Sequence, residues 1–130
     1  MRDILFRGKS LRDGNLVYGD FRNTNGMSPY NAFIVTHTNE QYNEVDPNTV
    51  EQFTGLFDKN GKKIFEGDIV LYRNESVGVV GFADGAFGVR FGDGTSAMFL
   101  CFAAEHSVVI GNIYDDQELC KVYNLFIMCS

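Results

Sequence analysis

Hydrophobic and polar positions alternate along this chain in short bursts separated by turn residues, and few stretches carry the 3.6-residue period of a helix. Ile4 to Phe6 and Leu16-Val17-Tyr18 are β-rich runs flanking Asp13-Gly14-Asn15, a turn suited to positive φ, so the chain opens with a predicted hairpin. Residues 20–31, rich in Asn, Gly, Ser and Pro, read as a loop. Ala32 to Thr36 is a further strand, and the polar stretch 37–44 reads as an exposed connection. Asp46-Pro47-Asn48-Thr49-Val50 predicts one helical turn, with Asp46 as N-cap and Pro47 at the first helical position.

From Gln52 onward, strands and turns follow at regular short intervals. Phe53 to Phe57 and Lys63-Ile64-Phe65 flank Asp58-Lys59-Asn60-Gly61, whose Asn-Gly pair is a strong hairpin signal. Glu66-Gly67-Asp68 turns the chain into Ile69 to Tyr72, and Arg73 to Ser76 turns it into Val77 to Phe82. Ala83-Asp84-Gly85 and Gly92-Asp93-Gly94 bracket Phe87 to Phe91. Strands over Ala97 to Phe102 and Ser107 to Ile113 complete the series. This rhythm marks a small barrel or sandwich. Asp115-Asp116-Gln117 then opens a short helix whose Leu119, Val122, Tyr123 and Phe126 share one apolar face.

The 130 residues suit one domain, and 45% hydrophobic with 22% charged residues is the balance of a folded globular chain. The excess of Gly (14) is assigned to the turns and that of Phe (12) mainly to the core. The formal charge of −6 argues against a general polyanion binder. It is unevenly placed: residues 1–30 hold five cations against three acids, whereas 31–58 hold five acids and no Lys or Arg. Arg7, Lys9, Arg12 and Arg22 are therefore the candidate contacts for a charged partner. Three cysteines without a CxxC pair, no signal-peptide pattern and no apolar run near the ~18 residues of a membrane span lead us to expect a soluble protein of a reducing cytosol, with no membrane association.

Sites with built-in chemistry are scarce. From Asp58, the sixth and twelfth positions of a calcium loop fall on Lys63 and Ile69, so a hairpin turn is the better reading. Gly92 to Ala97 spells G-x-G-x-x-A, but too few residues follow for a dinucleotide fold, and a β-turn is preferred. Cys101 and His106 lack an orienting third group, and His37, His106 and the cysteines lack metal-ligand spacing. Glu66 and Asp68 read as turn residues that accept backbone N–H groups. Phe82, Phe87 and Phe91 read as core rather than as a base-stacking platform. No catalytic, cofactor-binding or metal-binding residue is assigned, and no cofactor is expected.

The run from Val45 to Val70 (VDPNTVEQFTGLFDKNGKKIFEGDIV) closely resembles the signature of the YopX-like family, small proteins of bacteriophages, prophages and other mobile elements. Leu5-Phe6-Arg7-Gly8-Lys9 with Val17-Tyr18-Gly19 resembles the family's opening, and Val109 to Tyr114 with Glu118-Leu119 its close. The signature falls on Pro47, Thr49, Gln52, Thr54, Gly55, Asp58, Asn60, Gly61, Glu66, Gly67, Asp68, Gly111 and Asn112, read as structural positions. Glu51 departs from it, standing where the family usually has Gly.

The resemblance implies a mainly β (β-rich α+β) chain. An N-terminal β part (1–45) precedes an SH3-like barrel part (46–120) and a C-terminal extension (121–130), all within one domain. It implies no catalytic residue. The function expected is a non-catalytic accessory module of the bacterial cytoplasm that binds a host or phage protein or self-assembles as a homo-oligomer. A nucleic-acid-associated barrel using the N-terminal cations is the alternative, and a small hydrolase using Cys101 or the acids stands behind both.

Overall fold

The computed structural model describes residues 4–23, 32–92 and 97–125. The protein is mainly β and forms two compact units, Met1–Phe53 and Thr54–Ser130.

In the first unit, β1 (Phe6–Lys9), β2 (Leu16–Asn23), β3 (Ala32–Val35) and β4 (Tyr42–Glu44) pair antiparallel in sequence order. The β1–β2 turn is built as its residues predict. The Asn15 amide donates to the Asp13 side chain (2.9 Å), and Gly14 takes φ +76°. A 3-10 turn, Pro47–Thr49, follows with Asp46 as its cap, accepting from the Asn48 amide (3.0 Å), as expected from the sequence. β5 (Glu51–Phe57) then pairs with β1, placing Arg7 opposite Glu51. Beyond β4 the chain bridges back to the end of β1. Ser10 pairs with Val45, the Leu11 amide donates to the Glu44 carbonyl, and the Asp46 amide donates to the Lys9 carbonyl. Ala32, Ile34 and Val45 are buried here with Phe6, Val17, Phe21 and Val50 packed against them.

In the second unit, β6 (Lys63–Phe65) is the hydrogen-bonded neighbour of β5. β7 (Asp68–Tyr72), β8 (Ser76–Ala83), β9 (Ala86–Phe91), β10 (Ala97–Phe99) and β11 (Ser107–Asn112) form a sheet of order β10-β9-β8-β7-β11. Between β10 and β11 lie α1 (Leu100–Ala103) and a 3-10 turn, Ala104–His106. α2 (Gln117–Val122) follows β11. Alternation along each strand divides its residues between two cores. Val70, Val80, Val89 and Phe91 meet Ile64, Leu100, Ala103 and Ala104 on one face. Ile69, Val77 and Val79 meet Cys120 and Leu125 on the other. A sheet covered on both faces explains why Ile69 to Leu71 is a continuous apolar run rather than an alternating one.

Several boundaries differ from the sequence reading. Asp20 to Asn23 are strand, because β3 supplies backbone partners that outweigh their turn propensity, while 24–31 lie outside the described residues. Tyr42–Glu44 within the polar stretch 37–44 is likewise a strand, paired on β3. The strand expected over Ala97 to Phe102 ends at Phe99, where α1 begins. α2 buries Cys120 and, past its end, Leu125, leaving Val122 and Tyr123 exposed. Of the predicted face, Leu119 packs against the same core, and Phe126 lies outside the described residues.

Glycine and phenylalanine also depart from expectation. Gly19, Gly78, Gly81, Gly88 and Gly111 lie inside strands. At Gly19 a Cβ would run into the Val35 carbonyl, so close backbone approach sets the residue there. Phe53, Phe65 and Phe91 are buried, but Phe57, Phe82, Phe99 and Phe102 are exposed.

Among the described residues, no helix is long and apolar enough to cross a membrane.

Candidate interaction surface

The exposed aromatics follow from the geometry of the β8–β9 hairpin. Its turn residues Asp84 and Gly85 both hold positive φ (+53° and +82°), which matches the right-handed twist of a two-residue hairpin. That turn fixes the register Ala83↔Ala86, Phe82↔Phe87 and Gly81↔Gly88. Phe82 and Phe87 are therefore direct cross-strand neighbours, with ring centroids 5.0 Å apart at 70°. They share a face with Val80 and Val89, which are 1% exposed, yet Phe82 itself is 55% exposed. Phe87 is half-buried and packs against that core, whereas Phe82 sits where the strand pair outruns it.

A second pair lies where β10 becomes α1. Phe99 is opposite Gly88, so no side chain on β9 shields it at that position. Leu100 and Ala103 turn inward and are fully buried. Phe99 and Phe102 stay 59% and 65% exposed, with centroids 6.4 Å apart. Cys101 is exposed between them. Burying one such ring is worth roughly 1.5–3 kcal/mol, so these rings retain a large capacity for association. Apolar aromatics carry no acid–base or nucleophilic chemistry; what they supply is contact area. The missed signal was the three-residue spacing of Leu100 and Ala103, which marks a helical turn with Phe99 and Phe102 on its other side.

The candidate cations do not act as a set. Arg7 is 4% exposed, its Nη2 and Nε lying 2.9 and 3.0 Å from Glu51 Oε1. It is an interior group rather than a partner contact. Lys9 is half-buried, and its amide donates to Thr49 Oγ1 (2.9 Å). Arg12 and Arg22 are exposed, in the β1–β2 turn and on β2.

The signature residues form local ties. Pro47 starts the 3-10 turn, and the Thr49 hydroxyl donates to the Asp46 carbonyl (2.7 Å). Gln52 is opposite Phe6 on β1. The Thr54 hydroxyl donates to the Ile64 carbonyl (2.8 Å), and Gly55 holds φ +87° within β5. Asp58 is buried: Oδ1 accepts from the Asn60 and Lys62 amides (both 2.9 Å), and Oδ2 from the Val109 amide (3.0 Å). One carboxylate thus shapes the Asn60-Gly61 turn and fastens it to β11. Glu66 is half-buried. The Gly67 amide donates to the Val80 carbonyl (2.8 Å), and its carbonyl accepts from Ile113 (3.0 Å). Asp68 Oδ2 accepts from the Phe65 amide (2.8 Å).

At the end of β11, Asn112 Oδ1 accepts from the Tyr114 and Asp115 amides (both 3.0 Å), while its own amide donates to Asp116 Oδ2 (2.9 Å). A Cβ at Gly111 would collide with that same Asp116 carboxylate.

His106 ends the second 3-10 turn, with its ring edge-on to Tyr72 and Nε2 3.5 Å from Glu105. His37 pairs with Asp20 (2.9 Å) in the other unit. Among the described residues, no group of three or more His, Cys, Asp or Glu is placed to hold a metal ion. Residues 93–96 of the G-x-G-x-x-A stretch, and Cys129, lie outside the described residues.

A family model described as YopX protein matches residues 5–121. Comparison with the curated proteins gives no match. Among solved structures, the chain is similar to the crystal structure of protein EF1440 from Enterococcus faecalis, with a TM-score of 0.57 and 24% identity. The similarity covers 92% of this chain and 99% of that one, and it shows a shared fold.

Proposed function

The chain belongs to the YopX protein family, and from that premise we propose that it is a non-catalytic accessory module of phages or mobile elements. It acts in the cytoplasm of the bacterial host, binding a host or phage protein or assembling with its own copies. The observation that carries this reading is a set of exposed rings, Phe82 on β8 beside the half-buried Phe87 and Phe99 with Phe102 where β10 becomes α1. Exposed aromatics of this density are typical of contact surfaces and costly to leave in water. The order β10-β9-β8-β7-β11, with a 3-10 turn leading into the last strand, supports an SH3-like reading of the second unit.

Static light scattering at micromolar concentration, with pull-downs from host lysate, tests the proposal. Self-association or a captured protein that is lost when Phe82, Phe99 and Phe102 become Ser supports it. A strict monomer together with empty pull-downs overturns it.

A further inference from the structure

β7 and β8 are joined through Arg73 and Asn74, both in the left-handed backbone region (φ +51° and +57°). Asn tolerates that conformation; Arg has no local hydrogen bond of its own to favour it. The Arg73 side chain is nevertheless held in one place. Its Nε donates to Tyr72 Oη (2.9 Å), and the guanidinium lies over the Tyr72 ring, 5.4 Å from the centroid. The Arg73 amide donates to the His106 carbonyl (2.8 Å), which fastens the turn beside His106. The His106 ring meets the Tyr72 ring edge-on at 6.4 Å, and Phe91 packs on the same tyrosine at 5.7 Å.

The corner therefore gathers hydrogen-bond donors that the fold does not consume. The two terminal guanidinium nitrogens of Arg73 have no partner among the described residues. Tyr72 Oη accepts from Arg73 and keeps its own proton to donate. The guanidinium fork matches the oxygen spacing of a tetrahedral oxyanion, and its stacking on a ring fixes it before any ligand arrives.

We propose that Tyr72, Arg73 and His106 form a binding site for a phosphoryl anion. Arg73 supplies a paired contact from its terminal nitrogens, Tyr72 supplies the hydroxyl, and His106, whose Nε2 lies 3.5 Å from Glu105, borders the site. The site is separate from the aromatic couples and does not depend on their role.

The experiment is an amide-resolved NMR titration of the whole chain with inorganic phosphate, against chloride at equal ionic strength. Wild type is expected to show saturable, phosphate-specific shifts at Arg73, Asn74 and Ser107. Arg73→Gly keeps the left-handed turn and remains folded, and its affinity is expected to fall about tenfold. Tyr72→Phe keeps the ring but loses the hydroxyl, and it should fall between the two. Adenosine 5′-monophosphate distinguishes the source. Tighter binding than phosphate assigns the site to a phosphate ester, and equal binding assigns it to the free ion. Shifts that chloride reproduces, or that Arg73→Gly leaves unchanged, overturn the proposal.

Discussion

Arg7 and Glu51 stand opposite each other on β1 and β5, 44 residues apart in sequence, and close a buried ion pair of 2.9 Å. Glu51→Ala removes a carboxylate from beside a buried guanidinium. We expect a loss of about 3–5 kcal/mol by urea denaturation, since removing one member of a buried pair leaves an uncompensated charge. The double variant Arg7→Met/Glu51→Leu should recover most of that loss. A double variant no more stable than Glu51→Ala would contradict this account.

Asp58 is the acceptor for three backbone amides on two elements. Asp58→Ala leaves those donors without their partner, with an expected cost of about 2–4 kcal/mol. Hydrogen exchange should quicken selectively at the Asn60, Lys62 and Val109 amides. Asp58→Asn should fall between, because one of its two positions becomes a donor facing a donor. Unchanged protection at Val109 would remove the carboxylate as the tie to β11.

Gly111 admits no side chain because the Asp116 carboxylate occupies the space. Gly111→Ala should destabilise by about 1–3 kcal/mol, as overpacking does. The cost should shrink in the Asp116→Ala background, although Asp116→Ala itself removes the acceptor of the Asn112 amide. Additive costs in a double-mutant cycle would rule out the clash.

Phe82, Phe99 and Phe102 are surface residues, so their single Ser variants should keep stability within about 0.5 kcal/mol of wild type. Unfolding midpoints check this independently of any partner. A large destabilisation would show that these rings pack in the folded state and are not held in reserve for association.

The turns were legible in the sequence because their chemistry is local. Asp46 with Pro47, Asp13-Gly14, Asn60-Gly61 and Asp84-Gly85 each carry their own cap or left-handed residue. What escaped was set by pairing across long separations. Asp20 to Asn23 read as loop until β3 is placed beside them, and no pattern in the sequence brings Arg7 to Glu51. The aromatic couples were hidden for a related reason. Hydrophobicity places a phenylalanine inside by default, whereas the exposure of Phe82 depends on how far a hairpin outruns the core beneath it. The Tyr72–Arg73–His106 corner likewise joins residues from two turns more than 30 positions apart.

The Ser10–Val45 bridge has a consequence for how the protein behaves when crowded. A bare strand edge is a template on which other chains can grow. Here the carbonyl of Glu44 and the amide of Asp46, on either side of Val45, are already engaged with Leu11 and Lys9. That end of the first sheet offers a newcomer few backbone groups to copy, which guards it against fibrillar growth at high concentration.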